Sequence, residues 1–475
     1  MLFNSVLFLF FFLIVYILFH SSSENKRKYI LLFSSMLFYA SWDWLNFETP
    51  VPRFFIHFTT VTSINYLFVI LLEKYKSKSV SGKIISTAVF LNVLNLGFFK
   101  YFYFAIEVAG VLVGHPEWKG EARGSFDIIL PIAISFYTFQ TIAFLVDKYR
   151  GEIPDHTSYV DFTLFIFFFP QQLAGPILKA KEFLPRLKSP VPMDEERIWM
   201  GLYFIGLGII KKGVFADSIA YIISPVFASP SDYSAQSLAL SLLGFLFQLW
   251  GDFAGYSDMA VGCGKLLGFD LPQNFNRPFY SQGFAEMWER WHITLSRFLR
   301  EYIYFPMGGS RVVEWRAAFN TGFTMVLAGL WHGANWTYLY WGVVIAISLI
   351  VERYLLNRIP FWKEKQIGWK RSLKIGVILL FWLYLGLIFR SNRVEDIPLI
   401  WNRIFSGAVG QSVKWEELLF MPILMYILQY FEYKEEFYTG LLKRRVLAAV
   451  SLSTILLFVL AELSNKQVQF LYFQF

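Results

Sequence analysis

Apolar runs dominate the chain, and polar residues fall mostly between them. The first run, Leu2–Phe19, is followed by the cluster Lys26-Arg27-Lys28. No basic residue precedes it, so it lacks the charged start of a cleaved leader and reads as a retained span. Further runs cover Ile30–Trp44, Phe54–Leu72, Ile84–Phe104, Ile128–Val146, Val160–Leu178 and Trp199–Ile210. Beyond them lie Ser237–Trp250, Ala317–Leu330, Thr337–Val351, Ile375–Phe389, Phe420–Tyr430 and Val446–Leu460. A crossing helix needs about 20 mostly apolar residues, so the pattern predicts an all-α membrane bundle of roughly ten to twelve spanning or re-entrant helices. No long linker, low-complexity tract or repeat interrupts it, and residues 1–475 read as one membrane domain.

Composition agrees. Apolar residues make up 56% of the 475, aromatic residues 20% and charged residues 16%, against roughly 25% charge in soluble domains. A soluble enzyme of this size needs more polar cover, and a disordered chain has far fewer apolar residues. A single cysteine, Cys263, excludes an internal disulfide scaffold. The net charge of +8 comes from short loop clusters, which fit membrane topology and give no reason to expect nucleic acid. The basic loops at Lys74–Lys83, Lys148–Arg150 and Lys179–Arg197 are expected in the cytoplasm and the N-terminus outside.

Polar groups at membrane depth are costly and mark functional candidates. Of the six histidines, His20, His57, His115 and His156 read as interfacial or loop residues. His292 and His332 each follow a tryptophan, Trp291 and Trp331. Read as one helix, residues 286–302 place Glu286, Glu289, Arg290, Arg297, Arg300 and Glu301 within an arc of about 120°. Met287, Trp288, Trp291, Leu295, Phe298, Leu299 and Tyr302 take the other side, with Ile293 the exception and His292 on the boundary near Ser296. The i,i+4 pairs Glu286–Arg290 and Arg297–Glu301 support this helix, which is expected at the membrane surface or along a wet cavity. His332 follows Arg316 by ~24 Å of helical rise, inside a ~30 Å core, and Gly333 predicts a helix break there. Irregular backbone at that depth must be buried in protein or line water.

Two more segments interrupt the apolar pattern. Trp250 to Asp258 puts Asp252, Tyr256, Ser257 and Asp258 into a Gly-rich stretch between apolar helices. Its carboxylates are placed to cap a helix, bind a cation or line a substrate path, and at least one is expected to cap. Phe169 to Pro176, with Gln172 in it, reads as a broken helix, either a hinge or part of a path. Phe305–Ser310 reads as a turn. No phosphate-binding loop, zinc-protease motif, serine-hydrolase elbow or paired cysteine motif is present. Cys263, between two glycines, reads as packing.

Several of these segments together resemble the membrane-bound O-acyltransferase family, in the bacterial branch of the alginate O-acetyltransferase membrane subunit. They are Leu130-Pro131 through Gln140, Asp147–Arg150, Gln172–Pro176, Asp252–Asp258, Asn274–Phe279 with Asn276, Trp288–Arg300, Gly329–Trp336 and Leu471–Phe475. The resemblance implies a ring of helices around a thin centre pierced by a funnel or tunnel. It implies His332 as the catalytic histidine and His292 as the second family histidine. It further implies Trp288, Trp291, Ser296, Arg297, Trp331, Asn335 and Trp336 near the substrate path. No permanently bound cofactor is implied and no metal; the donor would be acetyl-CoA or an acyl carrier. The acyl group would cross a bacterial inner membrane to an exported partner acyltransferase that modifies a polysaccharide.

The chemistry of the residues fits. A neutral imidazole is a suitable base for a hydroxyl attacking a thioester, and burial favours the neutral form. His332 is therefore the expected general base or transient acyl carrier. His292 is expected to position substrate, and Asn335 to orient the imidazole or donate to the oxyanion. The competing reading is a proton-coupled transporter or a channel without covalent chemistry, since intramembrane His and Asp on broken helices also serve transport. The paired Trp-His segments and the missing inverted repeat favour the enzyme.

Overall fold

The computed structural model describes residues 1–432 except residues 2, 48–51, 127 and 174, and beyond residue 432 only residues 450, 453, 454 and 457. The expected run Val446–Leu460 lies almost wholly, and Leu471–Phe475 wholly, outside the described residues. Helix makes up 78% of the structure, and no strand forms among the described residues. Six helices are long and apolar enough to cross a membrane. The chain divides into two compact units, Met1–Gly201 with Ala260–Pro272 and Leu202–Met259 with Gln273–Phe475.

In the first unit the N-terminal helices are α1 (Val6–Ser21), α2 (Glu24–Phe47), α3 (Arg53–Lys74) and α4 (Lys78–Val113). Ser5 caps α1 by accepting from Phe8 N at 3.1 Å. Buried Asp43 accepts from Phe54 N and Phe55 N, at 3.4 and 3.1 Å, and so satisfies the start of α3. Helix α4 outruns its predicted span because a π turn, Gly97–Tyr101, carries the helix onward. Then come α5 (Ile134–Tyr149), α6 (Tyr159–Phe167), the one-turn α7 (Phe169–Gln172) and α8 (Ala180–Lys188). The predicted break in Val160–Leu178 is present. The chain folds back so tightly there that a Cβ on Gly175 would overlap the Pro170 carbonyl. Aromatic side chains fill the core, with Phe58 stacked on Phe167 at 3.9 Å and on Tyr137 at 4.3 Å. His57 is half-buried and bonded, Nε2 to Asn95 Oδ1 at 3.0 Å, which ties α3 to α4. On α1, Leu7, Phe10, Leu13, Ile14 and Ile17 stay exposed, as lipid-facing residues do.

Helix α9 (Glu195–Ala228) enters the second unit and contains a π segment, Ile210–Ala216. Helix α10 (Ala235–Leu266) is one unbroken helix of 32 residues. The expectation of a Gly-rich interruption at Trp250–Asp258 is therefore corrected. The glycines serve close packing: a Cβ on Gly255 would lie 2.6 Å from the Gly208 carbonyl of α9. At that distance short aspartates reach lysines. Lys211 Nζ pairs with Asp258 Oδ2 at 2.6 Å and Lys212 Nζ with Asp252 Oδ1 at 2.6 Å, while Lys212 also pairs with Asp217.

The expected single helix over residues 286–302 is also corrected. It forms as α11 (Phe284–Arg290) and α12 (Ile293–Leu299), separated at Trp291-His292, and α12 runs on into a π turn, Arg300–Tyr304. Both i,i+4 pairs still form, Glu286–Arg290 at 2.8 Å and Arg297–Glu301 at 3.3 Å, because each lies on one side of the break. Helix α13 (Glu314–His332) and α14 (Trp336–Tyr354) make a tight hairpin. Its loop is the break predicted at Gly333, where a Cβ would overlap the Tyr338 ring. Helix α15 (Gly368–Arg390), the amphipathic α16 (Asp396–Phe405) and α17 (Trp415–Glu432) complete the described unit.

Candidate active site

His332 is the last residue of α13, where the chain leaves helical geometry at Gly333. It is 6% exposed. Two rings meet its imidazole nearly at right angles: Trp341 of α14 at 5.0 Å and Phe389 of α15 at 5.1 Å. These, with Trp291, Trp382 and Gly386, border a cavity of about 10 Å³, room for about one water.

His292 sits in the α11–α12 break with φ of 42°, a left-handed conformation that non-glycine residues seldom adopt. The segment Asn274–Asn276 holds the break from both sides. Asn276 N donates to Arg290 O at 2.9 Å, and Ile293 N donates to Asn274 O at 2.8 Å. The Asn274 side chain accepts from Thr294 Oγ1 at 2.6 Å and donates to Ser257 Oγ of α10 at 3.2 Å. His292 is fully buried, and its two ring nitrogens have no hydrogen-bond partner among the described residues. It lies outside the membrane-spanning helices, and burial pushes its imidazole down to about 3, so it is neutral at physiological pH.

One indole joins the two histidines. Trp331 lies 5.7 Å from the His292 ring and 4.8 Å from the His332 ring, centre to centre. Phe253 of α10 packs on the other side of His292 at 4.6 Å.

A larger cavity, of about 420 Å³, lies along α11, α12, α13 and α14. Trp288, Ser296, Arg300, Thr324, Glu352 and Arg353 are among the residues that line it. Glu352 also anchors α11: its carboxylate accepts from Phe284 N at 3.0 Å and Ala285 N at 2.6 Å.

Thus His332, His292, Trp291 and Trp331 come together, while Trp288 and Ser296 meet at the larger cavity. The other expected residues are placed differently. Asp252 and Asp258 are ion-pair partners on α10, and Arg297 is paired with Glu301. Buried Tyr256 and Ser257 belong to α10, and Ser257 supports Asn274. Asn276 and Trp336 are exposed. Gln172 lies in the first unit, buried in α7 with its amide unpaired among the described residues. Asn335 Oδ1 caps α14 through Thr337 N at 3.2 Å, and Nδ2 donates to Asn392 O at 3.0 Å. Both ends of the amide are thus held by backbone, and neither bonds the imidazole.

Sequence reasoning missed Trp341, Phe389, Asn274, Thr294 and Glu352. One signal was available for two of them. Tyr338, Trp341, Ile345, Ser348 and Glu352 recur at helical spacing, and all five are buried. A carboxylate on an inward stripe calls for a partner.

Comparison with known proteins agrees with this geometry. The family model for membrane-bound O-acyltransferases matches residues 152–389, which include both histidines. A probable alginate O-acetylase of Azotobacter vinelandii is 36% identical over 380 residues, 79% of this chain and 72% of its own length. A peptidoglycan O-acetyltransferase of Helicobacter pylori is 31% identical over 409 residues, 80% of this chain and 73% of its own. A teichoic acid D-alanyltransferase of Bacillus subtilis is 28% identical over 301 residues, 61% and 72% of the two chains. These matches select the enzyme over the transporter reading. Paired histidines on broken helices, a multi-pass apolar framework and relatives similar over most of the chain lead to one assignment: this protein belongs to the membrane-bound O-acyltransferase family and is a membrane acyltransferase.

Proposed function

We propose that the protein moves an acetyl group from a cytoplasmic thioester to a hydroxyl presented on the outer side of a bacterial inner membrane, with His332 as general base. The observation that carries this reading is the position of buried His332 on a helix break, one indole away from a second buried histidine. In the step itself the hydroxyl gives its proton to the imidazole and its oxygen attacks the thioester carbonyl. The carbon–sulfur bond breaks as the ester forms, and the imidazole returns the proton to the departing thiolate. His292, neutral and with its ring nitrogens open to a bond, positions the acyl donor.

Charge supports this direction. Arg316 lies in the first turn of α13, Arg353 in the last turn of α14 with Arg358 after it, and Lys370 and Arg371 in the first turn of α15, so these ends carry basic residues. The basic side faces the cytoplasm by the usual topology rule, and His332 lies at the opposite end of α13. The 420 Å³ cavity, lined by Arg300 and Arg353 and also by Glu289 and Glu352, lies at these ends, and its two arginines would meet the phosphates of a donor such as acetyl-CoA or an acyl carrier. The relatives are named for acetylation of alginate and peptidoglycan and for D-alanylation of teichoic acid. By analogy the acceptor here is an envelope or exported polysaccharide, reached through an exported acyltransferase.

The test is acetyl transfer from radiolabelled acetyl-CoA by purified wild type and His332→Ala. Loss of thioester consumption in a folded variant supports the reading. Wild-type turnover in the variant refutes it.

A further inference from the structure

The cavity beside His332 has room for about one water, whereas the cavity on the basic side has about 420 Å³. The wall between them is identifiable. Trp288 lines the larger cavity and Trp341 the smaller, and their indoles meet at 5.6 Å and 88°. Trp341 in turn stands 5.0 Å from His332. The Trp288–Trp341 contact thus stands between the larger cavity and the small one beside His332. Trp288 Nε1 is buried with no acceptor among the described residues, so no hydrogen bond from it fixes that indole. Phe389 and Trp382 border the same small cavity.

Resting on the acyl-transfer reading above, we infer that Trp341, backed by Trp288, sets the length of acyl group that reaches His332 and limits it to about two carbons. The indole acts by filling space. An acetyl group, three heavy atoms against room for about one water, already has to displace some of this aromatic surface, and each further methylene has to displace more. Trp341 is thus a specificity-determining residue, and the pair is a partition that yields to a small acyl group and stops a larger one.

The test compares acetyl-CoA with butanoyl-CoA for the full-length purified protein and its Trp341→Ala, Trp341→Phe and Trp288→Ala variants. A misfit methylene is worth roughly 10–200-fold, so wild type should prefer acetyl over butanoyl by at least about tenfold in kcat/KM. Trp341→Ala should bring that ratio to within about threefold, with Trp341→Phe and Trp288→Ala between. An unchanged ratio in all three variants overturns the inference. If Trp341→Ala is inactive, the other two decide by the same ratio. A second readout does not need turnover: carbethoxylation of His332 by diethylpyrocarbonate, followed by mass spectrometry of its peptide, should be several-fold faster in Trp341→Ala. Equal labelling of wild type and variant removes the partition. Wild type that consumes no acyl-CoA overturns acyl transfer, while the labelling rates still judge the wall.

Discussion

The Glu352 carboxylate occupies the space where a side chain on residue 283 would begin: a Cβ built on Gly283 overlaps Glu352 Oε1. The same carboxylate holds the first N–H groups of α11, whose last residue precedes Trp291-His292. Gly283→Ala must therefore push the carboxylate away, and Glu352→Gln replaces one acceptor oxygen by a donor facing an N–H. Each should cost about 2 kcal/mol, as lost hydrogen bonds to a charged group do. Thermal unfolding of the purified variants measures this, and the double variant should cost less than the sum because both act on one contact.

His332→Ala should lower acetyl transfer by about 10²–10⁴-fold, the range for a lost general base. Its melting temperature should stay close to wild type, since the imidazole borders a cavity and its loss leaves the α13–α14 hairpin in place. A large fall in melting temperature together with activity would assign His332 to structure.

The His292 imidazole should make the protein sensitive to acid. Its ordinary value of 6.5 falls to about 3 in the fold, so the unfolded chain binds a proton that the folded chain refuses. The stabilising effect is complete above pH 6.5 and declines as pH falls toward 3. At pH 5 the loss is about 2 kcal/mol. Unfolding measured between pH 7 and 5 should show this loss in wild type. His292→Gln should show a shallower slope over that range, and equal slopes would contradict the prediction.

Lys211→Met should destabilise the protein by about 3–5 kcal/mol, because it leaves the Asp258 carboxylate buried with its ammonium partner gone. Lys211→Met with Asp258→Leu removes both charges and should recover most of that loss. Thermal unfolding of the single and double variants checks the difference. A single variant as stable as wild type would mean that the pair contributes nothing.

The sequence discloses what depends on local pattern. Apolar runs locate the helices, Gly333 marks the break after His332, and the two Trp-His steps pick out the residues that meet. It conceals what depends on close approach between distant helices. Gly255 reads as part of an interrupting Gly-rich stretch, although with Gly208 it lets α9 and α10 come close. The pattern over 286–302 fits one helix well, because the charged pairs on each side of His292 keep helical spacing. The kink comes from Asn274–Asn276, a neighbouring segment whose hydrogen bonds no local periodicity encodes. Asn335 is similar, since a polar residue near an imidazole in sequence can instead cap the start of the next helix.

The π segment Ile210–Ala216 gives α9 an angular offset between its two halves. A regular helix adds about 100° per residue, and the wider turn spends one residue more per revolution. Two consecutive lysines of this stretch, Lys211 and Lys212, pair with carboxylates six positions apart on α10. Excising one residue from this stretch would turn everything after it by about a quarter revolution. Buried residues of Asp217–Ala228 such as Ile219, Ala220 and Ile223 would then turn partly away from the core, although hydropathy along the chain would hardly change.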